Sequence, residues 1–478
     1  MKKSHISRSR VLALFASCAL ALLLAACGGQ AQSASTSETS NASSSQATSA
    51  SSDTVTDEET ATADYRKPGD DYRLEQVVVL SRHNIRAPLS TNGSALAKAT
   101  PNQWIAWTAE PSELTLRGGT LETMMGQYFR QWFEAEGLAP HNWHPEQGQV
   151  RFYANAKQRT IATAQYFSSG MLPTANASIE THVEFDTMDP VFTPQITFLT
   201  DSYNDAALAQ IAQMGGDTGM EGIAASLKDS YALLTDVADY TNSEGYKSGE
   251  FTDLKTTDTG VVLELNKEPA MNGSLKTATS LADALILQYY EADNDKRAAF
   301  GHDLTLEQWE SISAIKDLYG DVLFTAPLVA TNVAHPLLAE IGSELDTDGR
   351  IFTFLCGHDS NIGSVLAALQ AENYELPDTI EKKTPIGSKL VFEKWTDGDG
   401  EQFGRVRLMY QSTDQLKNLA LLTGATAPEA VEVTLAGLAK NDDGLYNYNE
   451  LRGRIREATD AYNTLIATYG EQQLAEAA

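Results

Sequence analysis

The sequence has 478 residues, enough for one large domain or two moderate ones with sizeable cores. Its formal net charge is −29 at pH 7, from 64 acidic and 35 basic side chains. So acidic a chain repels nucleic acid and anionic lipid head groups, which argues against both as partners and obliges an anionic substrate to bind at a local cluster of Arg and His.

At the N-terminus Lys2, Lys3, Arg8 and Arg10 precede an uncharged apolar run over residues 11–26. The run is short for a membrane span, and with its basic front it reads as an export signal. It closes on Leu24-Ala25-Ala26-Cys27, which resembles the cleavage box of bacterial lipoproteins. That resemblance makes Cys27 the first mature residue and the site of lipidation; the alternative is an ordinary signal peptide with an incidental Cys. Residues 27–64 form a Ser/Thr-rich linker that could hold a folded domain away from a membrane. Losing residues 1–26 removes four basic and no acidic side chains, taking the charge from −29 to −33. The expectation is an exported lipoprotein on the extracytoplasmic side of a bacterial membrane, touching that membrane through its anchor only. Of the 3 Cys, Cys18 leaves with the signal, and Cys356 in an apolar strand reads as core rather than as a thiol nucleophile, so no internal disulfide is expected.

The first strong element covers residues 74–81, whose apolar run Val77-Val78-Val79-Leu80 suits a strand buried on both faces. Residues 115–137 read as a long helix, 150–154 as a strand, and 157–167 as a helix. From 196 to 334 the pattern is mostly helical (220–238, 280–292, 305–318, and one from about 324 to 345), with a β-like patch at 260–265. Residues 351–356 are another buried strand and 360–369 a helix. Then 388–395 and 405–411 are strands, and 451–469 is a polar amphipathic helix. Strands alternating with helices indicate an α/β sheet with its site at the carboxyl ends. The expected division is a first α/β part over 65–195, a helical lid inserted over 196–334, a second α/β part over 335–445, and a C-terminal helix over 446–478.

Three segments carry chemistry. After the first strand comes Arg82-His83-Asn84-Ile85-Arg86-Ala87-Pro88. Arg forks match phosphate oxygens, and a neutral imidazole nitrogen between them can attack phosphorus. A solvent-exposed basic loop is the plainer reading. After the strand at 351–356 comes Gly357-His358-Asp359-Ser360-Asn361, opening a helix whose free amides favour anionic oxygen. His358 could donate to phosphate and Asp359 could protonate a departing alkoxide, which a neighbouring phosphate dianion would help it to do. Simple N-capping by Asp359 or Ser360 is the alternative. Third, Arg159 lies in the first turn of its helix, an unfavourable place for a cation unless it faces a bound anion.

Together these segments resemble the histidine acid phosphatases, with the Arg-His-x-x-Arg-x-Pro pattern at 82–88 and His358-Asp359 near the end. The agreement runs from about residue 73 to 444 and is strongest with the bacterial glucose-1-phosphatases, through SRHNIRAPL, YANAKQRTIATAQYF, TMDP, SLADALILQYYE, LFTAPLVATNVAHPLL, GHDSNIGSVLAAL and TPIG. The resemblance implies an α/β three-layer sandwich with a central mostly parallel sheet, phosphoglycerate mutase-like, plus an inserted α-helical lid. It implies His83 as nucleophile, Asp359 as general acid, and Arg82, Arg86, Arg159 and His358 as phosphate ligands. On the leaving-group side it points to Leu89 at the pocket mouth and Glu291 as an acceptor for sugar hydroxyls; a solvated helix end is the other reading of Glu291. No metal and no organic cofactor is implied, and His141 and His144 read as structural or surface residues. Asn84 replaces the wider family's Gly, a position where left-handed geometry would be tolerated. The implied partner is a small phosphorylated substrate, glucose 1-phosphate first, with an inositol-phosphate (phytate) phosphatase or a broad acid phosphatase as the alternatives and a non-catalytic ligand-binding lipoprotein as the reading from another class. Oligomeric state stays open.

Overall fold

Strand β1 (Arg73–Arg82) is buried from Gln76 through Arg82, as a run apolar on both faces requires. In the computed structural model, which describes residues 67–89 and 95–476, β1 is the centre of the main sheet. The other strands are β2 (Val150–Ala154), β3 (Ile179–Glu180), the separate hairpin β4 (Gly260–Val262) and β5 (Ala270–Asn272), then β6 (Phe352–Gly357), β7 (Lys389–Thr396), β8 (Gln402–Tyr410), β9 (Glu429–Glu432) and β10 (Tyr446–Asn447). Their order in the main sheet is β10-β8-β7-β1-β6-β2-β3, with β9 also on β8. The sheet is mixed: β1, β6, β2 and β3 pair in parallel, whereas β7, β8, β9 and β10 add antiparallel pairings. The parallel character is thus confined to the half that carries the site. β7 and β8 follow each other through a tight polar turn, which only antiparallel pairing allows.

Alternation along β1 builds the layers. Val77 and Val79 join Met125, Phe129, Trp132, Phe167 and Phe354 on one face, under the helices Leu116–Ala135 and Gln158–Met171. Val78 and Leu80 join Leu337, Ile341, Ile362 and Ile455 on the other, under Pro327–Asp346, Asp359–Ala368 and Tyr448–Glu476. Each such fully buried side chain contributes about 1.5–3 kcal/mol of apolar burial. The described residues belong to one compact unit.

A third core cluster gathers Tyr203, Leu234, Leu281, Leu285, Trp309 and Ile312 from the segment between β3 and β6. Its helices include Asp201–Gln213, Lys228–Val237, Ser274–Glu291 and Leu306–Phe324. The helix expected over 220–238 forms only in its second half. Gly216 and Gly219 take positive φ (62° and 58°) and leave short 3-10 turns before Lys228. The expected boundary at 334/335 falls inside the helix Pro327–Asp346. The C-terminal helix is an integral part of an outer layer, since Leu451, Ile455 and Ala458 are buried. The expected signal (1–26), Cys27 and the linker to residue 64 lie outside the described residues.

Candidate active site

Parallel pairing of β1, β6 and β2 aligns their carboxyl ends, with Ser81 and Ala154 both opposite Cys356 and Arg82 opposite Gly357. The loops after these strands therefore converge, although they are far apart in sequence. Backbone bonds lock the junction: His83 N donates to Gly357 O (3.1 Å), and Asn155 N to Cys356 O (3.0 Å).

His83 is buried, with Nδ1 2.8 Å from the Asn84 carbonyl. A carbonyl only accepts, so the proton sits on Nδ1 and Nε2 keeps a free lone pair, as a nucleophile needs. Burial, and then the fields of Arg159, His358, Arg86 and Arg82, push the His83 pKa well below the usual histidine value. The His358 ring lies 5.5 Å from that of His83. Its Nε2 is 2.7 Å from Asn155 Nδ2, while Asn155 Oδ1 is taken by the Asp189 amide at 2.9 Å. Asn155 must then donate to Nε2, which assigns the His358 proton to Nδ1. Burial and Arg159, partly opposed by Asp359, bring the His358 pKa down to about 3. Both imidazoles are neutral, one bearing a lone pair and the other an N–H for an anion.

Arg86, Arg159, His358 and Asp359 line the same cavity as His83. Arg86 is paired with Asp283 of the helix Ser274–Glu291 (2.9 Å). Among the described residues Arg159 has no ion pair within bonding distance, and its buried Nε lacks a hydrogen-bond partner. Burial and Arg86 bring its pKa down to about 10, so this cation gains by meeting an anion. Arg82 does not line the cavity. It stands behind, held by Glu381 (2.9 Å) and the Thr384 carbonyl, and reaches the site through Asp359, 3.4 Å from Nη2.

Asp359 starts its helix just after the N-cap, which is His358. Asp359 Oδ1 accepts the Ser360 amide (2.9 Å), and Oδ2 faces Arg82 and Lys316, the latter at 3.6 Å. Burial pushes its pKa up, but Arg82, Lys316, His83 and His358 together outweigh burial and hold it well below the carboxylate range. In the phosphate-free site Asp359 is a carboxylate. Lys316 also pairs with Glu381 (3.0 Å). Sequence reasoning missed Lys316, Glu381, Asp283 and Asn155. A lone Lys or Asp at helical spacing reads as a solvated face, and Glu381 lies in a loop with no motif.

The cavity, of about 1000 Å³, opens past Leu89, which is 61 % exposed at its mouth. Glu291 is not brought to it. Its two carboxylate oxygens accept from Thr108 Oγ1 (3.1 Å) and Thr115 Oγ1 (2.9 Å), the latter the N-cap of the helix Leu116–Ala135. The carboxylates that do line the cavity include Asp283, eight residues earlier on the same helix, and Glu268. Asn84 also differs from expectation: it is not among the residues with positive φ, and its buried side chain points away from the cavity to Glu122 Oε1 (2.7 Å). Cys356 is buried in β6, and burial pushes its thiol pKa well up. His141 and His144 stand outside the cavity, beside Glu134 and Thr174.

A neutral imidazole with a free Nε2, two converging Arg, an N–H donor and a carboxyl group at the rim form the apparatus for phosphoryl transfer to histidine. Comparison with known proteins agrees. The chain is 38 % identical over 380 residues to the glucose-1-phosphatase of Salmonella typhimurium, covering 78 % of this chain and 90 % of that one. It is 36 % identical over 396 residues to the glucose-1-phosphatase of Providencia rettgeri, covering 82 % and 93 %. In three dimensions it is similar to the apo form of Hafnia alvei phytase, with a TM-score of 0.75 at 26 % identity, covering 82 % of this chain and 98 % of that one. A family model matches residues 73–411, from the start of β1 to just beyond β8, and on that span the chain belongs to the histidine phosphatase superfamily, branch 2.

Proposed function

We propose that this histidine phosphatase hydrolyses the phosphomonoesters of small, otherwise uncharged sugars, with glucose 1-phosphate the best single substrate. In the reaction His83 Nε2 attacks phosphorus, the P–O bond to the sugar breaks, and Asp359 gives its proton to the departing oxygen. Water then attacks the phosphohistidine, passes a proton to the Asp359 carboxylate, and frees inorganic phosphate. Arg86, Arg159 and the His358 N–H hold the phosphoryl oxygens, and Arg82 steadies Asp359 from behind.

The observation that carries the substrate reading is the sign of the leaving-group space. Apart from His83, Arg86, Arg159, His358 and Asp359, the charged lining of the cavity is Glu268, Asp283, Asp317, Asp321, Glu372 and Glu375, against Lys276, Lys316 and Lys383. Of these, Asp283 pairs with Arg86 and Asp321 with Lys383, while burial pushes Asp317 up to about 7 and raises Glu268, so part of this lining is uncharged carboxyl in acid. Such a wall offers carboxyl oxygens to sugar hydroxyls and few free cations to further phosphates, since Lys316 is held by Glu381 and Lys383 by Asp321. It therefore favours a hexose over an inositol bearing several phosphates, although phytases share the fold. With EDTA present, the purified protein is expected to show kcat/KM for glucose 1-phosphate at least about tenfold above that for phytate, a ratio needing only about 1.4 kcal/mol. Equal or better turnover of phytate would overturn the substrate reading, and loss of all turnover in EDTA would overturn the metal-free steps.

Export and lipidation belong to the same proposal and rest on the basic front, the apolar run and Leu24-Ala25-Ala26-Cys27. Cys27→Ser protein should leave the detergent-soluble membrane fraction in a bacterial host. If it partitions as the parent does, the anchor reading fails.

A further inference from the structure

Behind His83 lies an ion pair that the chemical steps do not use. Glu122 on the helix Leu116–Ala135 and Lys389 at the start of β7 meet at 3.1 Å, and both side chains are fully buried. Burial disfavours each charge strongly, so a pair in such a place calls for a reason other than stability. Its neighbours supply one. Glu122 Oε1 also accepts from the Asn84 side chain (2.7 Å), and Lys389 Nζ donates to the Gly387 carbonyl (2.8 Å) and the Ser81 hydroxyl (3.2 Å). Asn84 Oδ1 in turn accepts from the Ile85 amide (2.8 Å), and Gly387 N donates back to the His83 carbonyl (3.3 Å).

These bonds enclose the His83–Asn84 peptide from both sides, and the Asn84 carbonyl is the one that holds His83 Nδ1. Gly387 has φ +69°, and a Cβ there would lie 2.4 Å from Asn84 Nδ2 and 3.2 Å from Glu122 Oε1, so the fit leaves no slack. We propose that Glu122 and Lys389 are positioning residues for the nucleophile: their ion pair grips the Asn84 side chain and the Gly387 carbonyl, and thereby sets the peptide that aims the His83 imidazole. Neither residue lines the cavity; Glu122 acts through Asn84 and Lys389 through Gly387. The inference rests on His83 being the nucleophile.

The test compares the full chain with Asn84→Ala, with the apolar pair Glu122→Met plus Lys389→Met, and with all three changes together. The readouts are kcat and KM on an aryl phosphate, with the melting midpoint recorded for each protein. Misaiming a nucleophile by a fraction of an ångström lowers kcat, whereas phosphate binding by Arg86 and Arg159 is untouched. We expect kcat to fall about 10- to 100-fold in Asn84→Ala and in the double variant, with KM within about twofold of the parent. The triple variant should be no more than about threefold worse than the weaker of these, since one route is being cut twice. Folded variants whose kcat matches the parent, or losses that multiply in the triple variant, would overturn the inference. If that double variant does not fold, Glu122→Gln plus Lys389→Met decides in its place: it removes the ion pair and the donor to the Gly387 carbonyl, and a parent-like kcat in it overturns the inference. A parent that fails to turn over aryl phosphate brings down the functional reading itself, a different result.

Discussion

Changing His83 to alanine is expected to lower kcat for an aryl phosphate by roughly 10⁴- to 10⁶-fold, the range seen when a covalent nucleophile is removed. The protein should remain folded, because the imidazole lines an open cavity and its one internal bond is to the Asn84 carbonyl. Without Nε2 the covalent step has no acceptor, and the remaining Arg and His donors can only bind. Retention of more than about a tenth of the parent rate would refute the assignment. The same assay run against pH reports the proton state of this ring. His83 reacts as the neutral form, and its pKa lies well below the usual 6.5 because burial and the surrounding cations disfavour imidazolium. The reactive form is therefore complete above that depressed pKa and is lost only as pH falls through it. The acid limb of kcat/KM should lie clearly below pH 6.5, which allows work in acid where an ordinary histidine would be protonated. A limb at 6.5 or above would show that the ring is not held neutral.

The second large effect concerns Asp359, and its size depends on the leaving group. In Asp359→Asn, release of the sugar from a sugar phosphate in a single turnover should slow by roughly 10²- to 10⁴-fold. Release of nitrophenolate, a stable anion that needs no proton, should slow by less than about tenfold. Asn keeps the volume and the acceptor for the Ser360 amide but has no proton to give. Removing the negative charge also frees Arg82 and Lys316 from one carboxylate, so affinity for phosphate should not fall. Equal slowing for both leaving groups would mean that Asp359 acts only by placing the substrate. The proton itself arrives with the substrate. Arg82 and Lys316 hold the empty-site carboxyl low, and a bound phosphate dianion cancels much of their field while burial goes on pushing the pKa up. The protonated form is then lost as pH rises, which places the optimum on the acid side.

How much of this was legible without coordinates is clear from particular residues. His83, Arg86, Arg159, His358 and Asp359 each follow a buried apolar strand, and strands of that kind in an α/β chain end at one common edge. The failures are equally specific. Glu291 was placed by analogy on the sugar side, but a rotation along its helix gives it to Thr108 and Thr115 and leaves Asp283 facing the cavity. Asn84 reads from sequence as a turn residue whose side chain narrows the pocket, whereas that side chain turns away from the cavity to a Glu on another helix. The break after Gly219 was hidden because the apolar spacing continues through it.

The amino-acid sequence by itself determined the candidate site residues and the strand ends that present them, because both are local: an apolar run closes, and a short polar motif follows. Only the tertiary structure decided the proton positions and charges. The His358 tautomer depends on Asn155, 203 residues away. The charge on Asp359 depends on Arg82 and Lys316, which Glu381 ties together from 299 and 65 residues away. Such settings come from burial and from charges a few ångströms apart, and neither is a property of neighbouring letters in a chain.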